Sequence, residues 1–228
     1  MSEKSQDLLL CAGHRERLCQ NFLDDKLAKY EIMELLLSYA IPRKDVRPLS
    51  RMLYKKFGGT FQILGASISE LMSVPGMGQS TAIFIKAIQK IMLDGYKSAM
   101  SSTPVFHNQT LFDNYCKLML GSKHIEEMHV LYMDVNRQLL LDETHSIGTL
   151  DWTAVHPREI VRRALELQSK FVVLVHNHPK NNTSFSSQDI EITNEIRTLL
   201  KNVDIILDNH YIVSGGVLYS MSSSPFFK

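Results

Sequence analysis

Two histidines separated by one residue, His176 and His178, close the apolar run Phe171–Val175. A strand repeats its side-chain direction every second residue, so both imidazoles can project to one side and offer two nitrogens to a single ion. Two ligands hold zinc poorly. Asp189 lies on the opening turn of the next expected helix, and the ten-residue stretch 179–188 is long enough to swing its carboxylate back over the strand end. Two nitrogens and one oxygen leave the fourth tetrahedral position to water, which suits catalysis better than structural stapling. An H-x-H pair alone is weak evidence, since nine histidines in 228 residues give ~0.36 such pairs by chance. Requiring Ser186 and Asp189 at their fixed spacing lowers that expectation to ~0.002. The competing reading of Ser186 and Asp189 is a capping box, S-x-x-D before an apolar-periodic run, in which both side chains merely satisfy helix amides.

The elements that would carry these residues follow from periodicity. Spacings of three and four predict helices over Tyr30–Tyr39, Pro48–Phe57, Ile68–Ser73 and Thr81–Leu93, with Gly58-Gly59 and Pro75-Gly76 as breaks. The small polar stretch Ser98–Pro104 reads as a linker. After a helix over Thr110–Leu120 the pattern becomes mixed. Strands are expected over Met128–Asp134, Gln138–Asp142 and Phe171–His176, helices from Pro157 through Leu167 and over Ser187–Lys201, and short strands near Asp204–Leu207, Tyr211–Ser214 and Val217–Ser220. The division is therefore 1–100 helical, 101–109 linker and 110–228 mixed α/β. No repeat of solenoid length is present.

Composition sets outer limits. With 44% hydrophobic and 21% charged residues, a disordered or collagen-like chain is excluded. No apolar run approaches the roughly 20 residues of a membrane-spanning helix, and the first residues carry no leader pattern, so a cytoplasmic protein is expected. Cys11, Cys19 and Cys116 form no C-x-x-C and cannot all pair, which argues against a disulfide framework or a thiolate zinc knuckle. Residues 1–100 carry 14 Lys+Arg against 10 Asp+Glu, and the remainder 11 against 14, a mild asymmetry that favours the first half if either half touches phosphate. Eight of the nine histidines lie after residue 100, where proton or metal chemistry is to be sought.

The segment H176-N-H178-P-x(7)-S186-x(2)-D189 resembles the JAMM motif of the JAB/MPN metallohydrolases, and specifically the RadC proteins. Gly13-His-Arg-Glu-Arg-Leu18, Tyr30–Leu37, Ile41–Asp45, Val74–Gly78, Gly148-Thr149 and His156-Pro-Arg-Glu159 are similar to RadC segments in the same order, so the resemblance spans nearly the whole chain. It implies an α/β chain: a helix-hairpin-helix-like N-terminal domain joined to a JAB/MPN domain of cytidine-deaminase-like architecture, with His176, His178 and Asp189 on one Zn2+. In that family a glutamate before an earlier strand takes a proton from the attacking water. Counting back from Asp134 puts Glu126 in that place, with Glu127 one step away and facing the other side by strand alternation. Ser186 would steady the water or an oxyanion. The implied activity is hydrolysis of an amide, peptide or isopeptide bond in a protein or peptide substrate, with a link to DNA repair.

Departures from the family and weaker signals complete the reading. Lys180-Asn181 and Phe185 replace the usual Ser-Gly and Pro, which leaves the ligands untouched but changes the loop. Val74–Ser80 is similar to a helix-hairpin-helix turn, where Gly76 and Gly78 would let amides approach a DNA phosphate and Lys86 would add charge. A plain tight turn between helices is the alternative, and an adaptor that binds DNA through this domain is the alternative function. His156-Pro-Arg-Glu159 reads as ordinary helix initiation, His210 as a turn residue or a support for the metal, and Trp152 as packing.

Overall fold

The computed structural model describes residues 3–147, 156–180 and 182–223. Gly148-Thr149, Trp152 and Asn181 fall outside these residues. The chain divides into two compact units, Met1–Lys90 and Ile91–Lys228. Cys19 and Cys116 are free thiols.

The first unit is helical: α1 (Glu3–Leu23), α2 (Lys29–Ala40), α3 (Arg47–Phe57), α4 (Thr60–Gly65), α5 (Ile68–Met72) and the first turns of α6 (Gln79–Ser102). Local chemistry sets the boundaries. Pro48 opens α3, and Gly58 closes it in the left-handed region at φ 84°, a conformation cheap only for glycine. Ser67 and Glu70 form a reciprocal capping box on α5. Leu37, Leu53, Ile63, Leu71 and Ile85 are fully buried and supply the apolar centre.

The second unit contains α7 (Gln109–Leu120), β1 (Glu127–Met133), β2 (Leu139–Ile147), α8 (Pro157–Glu166), β3 (Phe171–Asn177), α9 (Ser187–Lys201), β4 (Ile206–Ser214) and β5 (Val217–Ser220). The sheet order is β2-β1-β3-β4-β5. β3 and β4 are parallel, joined by α9; every other neighbouring pair is antiparallel. β3 is central and covered on both faces, which explains why its sequence is a continuous apolar run rather than an alternating one. One face of the sheet, with Met128, Val130, Tyr132, Val172 and Leu174, packs against Ile160 and Ala164 of α8 and Ile196 and Leu200 of α9. The other face, with Leu131, Met133, Val173 and Val175, packs against Phe112, Tyr115 and Cys116 of α7. The result is a mixed α/β domain following a helical region.

Two of the differences from the sequence expectation lie in the second unit. Residues 98–102, expected to be a linker, are the last turns of α6, and a 3-10 turn follows at Val105–His107. Met100 and Val105 are buried in the cluster around Phe112, and that burial stabilises ordered backbone where composition alone suggested a spacer. The two short strands expected near residues 204–214 are a single strand, β4. Asn209 does not make a turn. Its side chain bonds Ser220 and Ser222 beside β5 and accepts from the Ser222 amide.

Candidate metal centre

His176 ends β3 and His178 follows directly. His176 pairs with Met128 in the β1 register, so it occupies the sheet face that α8 and α9 cover. α9 begins on that face, and its first turn brings Asp189 to the histidines. His176 and His178 present Nε2 atoms 2.8 Å apart. Asp189 Oδ1 is 3.1 Å from His176 Nε2, and Oδ2 is 3.6 Å from His178 Nε2. All three residues are buried, and their candidate ligand atoms lie within 4.8 Å of one another. Two bonds of 2.0–2.1 Å at a tetrahedral angle separate their donor atoms by about 3.3 Å, so these spacings suit one small cation.

Asp189 serves two elements at once. Its Oδ2 accepts from the Ser186 amide at 2.6 Å and the Ser186 hydroxyl at 2.7 Å, while Ser186 Oγ accepts from the Asp189 amide at 3.1 Å. That is a complete capping box. Its Oδ1 is buried beside His176 Nε2 and has no hydrogen-bond partner among the described residues. A buried carboxylate oxygen without a donor is costly unless a cation meets it, so the residues fit a metal ion. The capping reading of S-x-x-D is thus realised on Oδ2, and Oδ1 remains available to an ion.

Electrostatics agree. Burial pushes the Asp189 pKa up, but the adjacent His176 and His178 imidazoles, with the Ser186 donor, hold it far below the usual carboxylate range. Burial also opposes a charged His178, yet Asp189, the Asn182 carbonyl and the Glu126 charge together raise its pKa. His178 Nδ1 lies 3.0 Å from the Asn182 carbonyl oxygen, which can only accept. That nitrogen therefore carries the hydrogen, and Nε2 is left facing Asp189.

Glu126 precedes β1 by one residue, is half-buried, and lies two positions before Met128, the register partner of His176. Alternation gives it the metal-centre side, consistent with its electrostatic influence on His178. Glu127 takes the opposite side. It bonds Lys123 at 2.9 Å and lies 3.9 Å from His129, whose Nδ1 is 2.7 Å from Asp142 Oδ1.

Sequence reasoning passed over Asn177. Its side chain turns away from the imidazoles flanking it, accepts from the Glu127 amide at 2.9 Å, and donates to the Lys123 and Ile125 carbonyls at 3.3 and 3.1 Å. It thus ties the segment bearing Glu126 to the strand bearing the ligands. A polar residue at the end of a buried strand must find partners, and that was the available signal. His210 is not a turn residue. It is fully buried in β4, with Nε2 2.7 Å from His176 Nδ1 and Nδ1 2.7 Å from Thr193 Oγ1. Burial and the two neighbouring imidazoles hold its pKa well below the usual histidine range, against the opposing pull of Asp189. Phe185, one of the departures noted above, sets its ring edge-on to His210, centroids 5.7 Å apart. Lys180 is exposed.

In the first unit Gly76 adopts φ 90°, and both Gly76 and Gly78 are exposed, with no atom within 4 Å of where a Cβ would stand. Lys86 is half-buried, its ammonium donating to the carbonyls of Leu64 at 3.0 Å and Ala66 at 2.9 Å, so it anchors the end of α4.

A mixed sheet covered by helices on both faces, with two histidines at a strand end and an aspartate on the next helix, defines a JAB-type α/β domain. Residues 106–225 match the RadC-like JAB domain family. A UPF0758 protein of Fusobacterium nucleatum subsp. nucleatum is 35% identical over 230 residues, covering 96% of this chain and 97% of that protein. The chain belongs to the RadC-like JAB domain family.

Proposed function

We propose that the second unit is a single-zinc hydrolase centre of the JAMM type, acting on an amide, peptide or isopeptide carbonyl. The observation that supports it best is the orphaned Oδ1 of Asp189 facing the two histidine Nε2 atoms. His176, His178 and Asp189 would hold the ion. Zinc in such a site polarises a carbonyl and makes water a nucleophile at neutral pH. Glu126 takes the proton of the attacking water and returns it to the leaving nitrogen; its side of the strand and its coupling to His178 favour it over Glu127 for this role. The Ser186 hydroxyl is engaged by Asp189 Oδ2, so its first duty is to orient the carboxylate, and stabilising an oxyanion would require that bond to exchange.

Elemental analysis of the purified protein should give about one zinc per chain, with loss in His178→Ala and Asp189→Ala. Glu126→Gln should keep the zinc and lose cleavage of fluorogenic peptide and isopeptide substrates, while Glu127→Gln keeps both. Full zinc retention by both ligand variants overturns this reading.

A second reading concerns the first unit, which we propose as a contact for nucleic-acid phosphates. Arg43, Lys44, Arg51 and Lys55 are exposed on and just before α3, and the open backbone at Gly76 and Gly78 allows close approach. Lys86 is committed elsewhere. The full chain should bind duplex DNA at low salt with affinity falling steeply as salt rises, and Arg51→Glu should weaken it across all sequences; no binding at low salt removes the reading.

A further inference from the structure

The ring nitrogens at the centre form one directed chain that begins at a backbone carbonyl. Thr193 stands four residues after Asp189 on α9, and its hydroxyl donates to the Asp189 carbonyl oxygen in a short contact. A carbonyl only accepts, so the single hydroxyl hydrogen of Thr193 is fixed there. His210 Nδ1, 2.7 Å from the same Oγ1, must then be the donor. His210 has no exposed surface, and among the described residues its two ring nitrogens meet only Thr193 and His176, neither of them a carboxylate. A neutral imidazole carries one ring hydrogen, here on Nδ1, which leaves Nε2 as an acceptor. The nitrogen 2.7 Å from it, His176 Nδ1, has to donate. His176 Nε2 therefore holds a lone pair aimed at His178 Nε2 and Asp189 Oδ1.

We infer that Thr193 and His210 are positioning residues that impose the Nδ1–H tautomer on His176, so that the backbone carbonyl of Asp189 selects which nitrogen of His176 is offered to the ion. This rests on the zinc reading above for its purpose but not for its geometry. The opposite tautomer would place a hydrogen on Nε2 and block it as a ligand. His178 reaches the same state independently through the Asn182 carbonyl. Phe185 packs its ring edge-on against the His210 imidazole, 5.7 Å between centroids.

The first measurement needs no metal and no variant: 15N ring shifts of the metal-free full chain should show His176 as the Nδ1–H form. Thr193→Val keeps the shape but cannot accept from His210. It should shift His176 toward Nε2–H and weaken zinc, in competition with a chelator, by roughly 10–100-fold. Thr193→Ser should restore both readouts, and His210→Gln, which can still accept and donate, should hold zinc better than His210→Phe. An Nε2–H form of His176 in the unmodified protein overturns the inference, as does Thr193→Val matching it in both tautomer and zinc affinity. Zinc retention by His178→Ala and Asp189→Ala would instead overturn the metal reading and leave the tautomer result standing.

Discussion

Asn177 Oδ1 accepts the backbone N–H of Glu127 at 2.9 Å, which fastens the segment beside the proposed proton carrier to the strand between the two histidines. Three hydrogen bonds from one side chain hold residues 123–127, so the position of Glu126 is inherited from β3.

Asn177→Ala should therefore leave zinc content unchanged and lower kcat by roughly 10–100-fold, with a smaller effect on KM. Zinc analysis beside steady-state kinetics checks it. Loss of metal in this variant would mean that Asn177 shapes the ligands rather than the glutamate segment.

The shared carboxylate of Asp189 predicts a split between stability and metal. Ser186→Ala removes the cap and should cost about 1 kcal/mol in urea unfolding of the metal-free chain, with weakened but measurable zinc binding. Asp189→Ala should lose the cap and the metal together, so that added zinc should raise the Tm of the unmodified protein but not that of the variant.

On the other sheet face, Asp142 is buried against His129, Tyr115 and Lys97. Burial works against its charge, but His129, Tyr115 and Lys97 outweigh it and bring its pKa down to about 2. His129 is raised: burial lowers it, and the bonds and charges of Asp142 and Glu127 more than compensate. The Asp142 contribution is present above its unfolded pKa of about 3.9 and is lost as pH falls through about 2. The His129 contribution is present below about 6.5 and is lost as pH rises through its elevated folded value. Both are complete near pH 5, where Asp142→Asn should lower stability by about 2 kcal/mol and flatten the decline on either side. Urea unfolding at several pH values tests this, and an unchanged profile would contradict it.

α9 depends on apolar contacts as much as on its cap. Ile196 is fully buried against the sheet, and Ile196→Ala should cost about 2–5 kcal/mol in urea unfolding, against roughly 0.5–1.5 for Ile196→Val. Looser seating of α9 should also weaken zinc in the alanine variant, since the same helix carries Asp189.

The parts legible in the sequence are those in which one local rule dominates. The apolar run of β3, the paired histidines and the S-x-x-D start of α9 each follow from spacing, and the structure brings His176, His178 and Asp189 together. The parts missed depend on partners distant in sequence. Ser101, Ser102 and Thr103 look like linker residues, yet their hydroxyls donate to the carbonyls of Leu139 and Ala99, allowing small polar residues to continue and close α6. Asp208-Asn209 looks like a turn, and only the serines near β5 show why Asn209 is extended and His210 is carried inward. α1 shows no clear apolar stripe, because its charges are interspersed with its apolar residues, and nothing in its spacing announced a helix. The roles of Thr193 and Asn177 become visible only when their bonding partners are placed beside them.

The capping bonds of Asp189 use the oxygen directed at Ser186 and leave the other for the ion. The cap at the start of α9 therefore needs no ion, since its bonds join Ser186 and Asp189 directly. Were the proposed ion to leave, those capping bonds would stay in place, so the helix would keep its start while the buried Oδ1 lost its counter-charge.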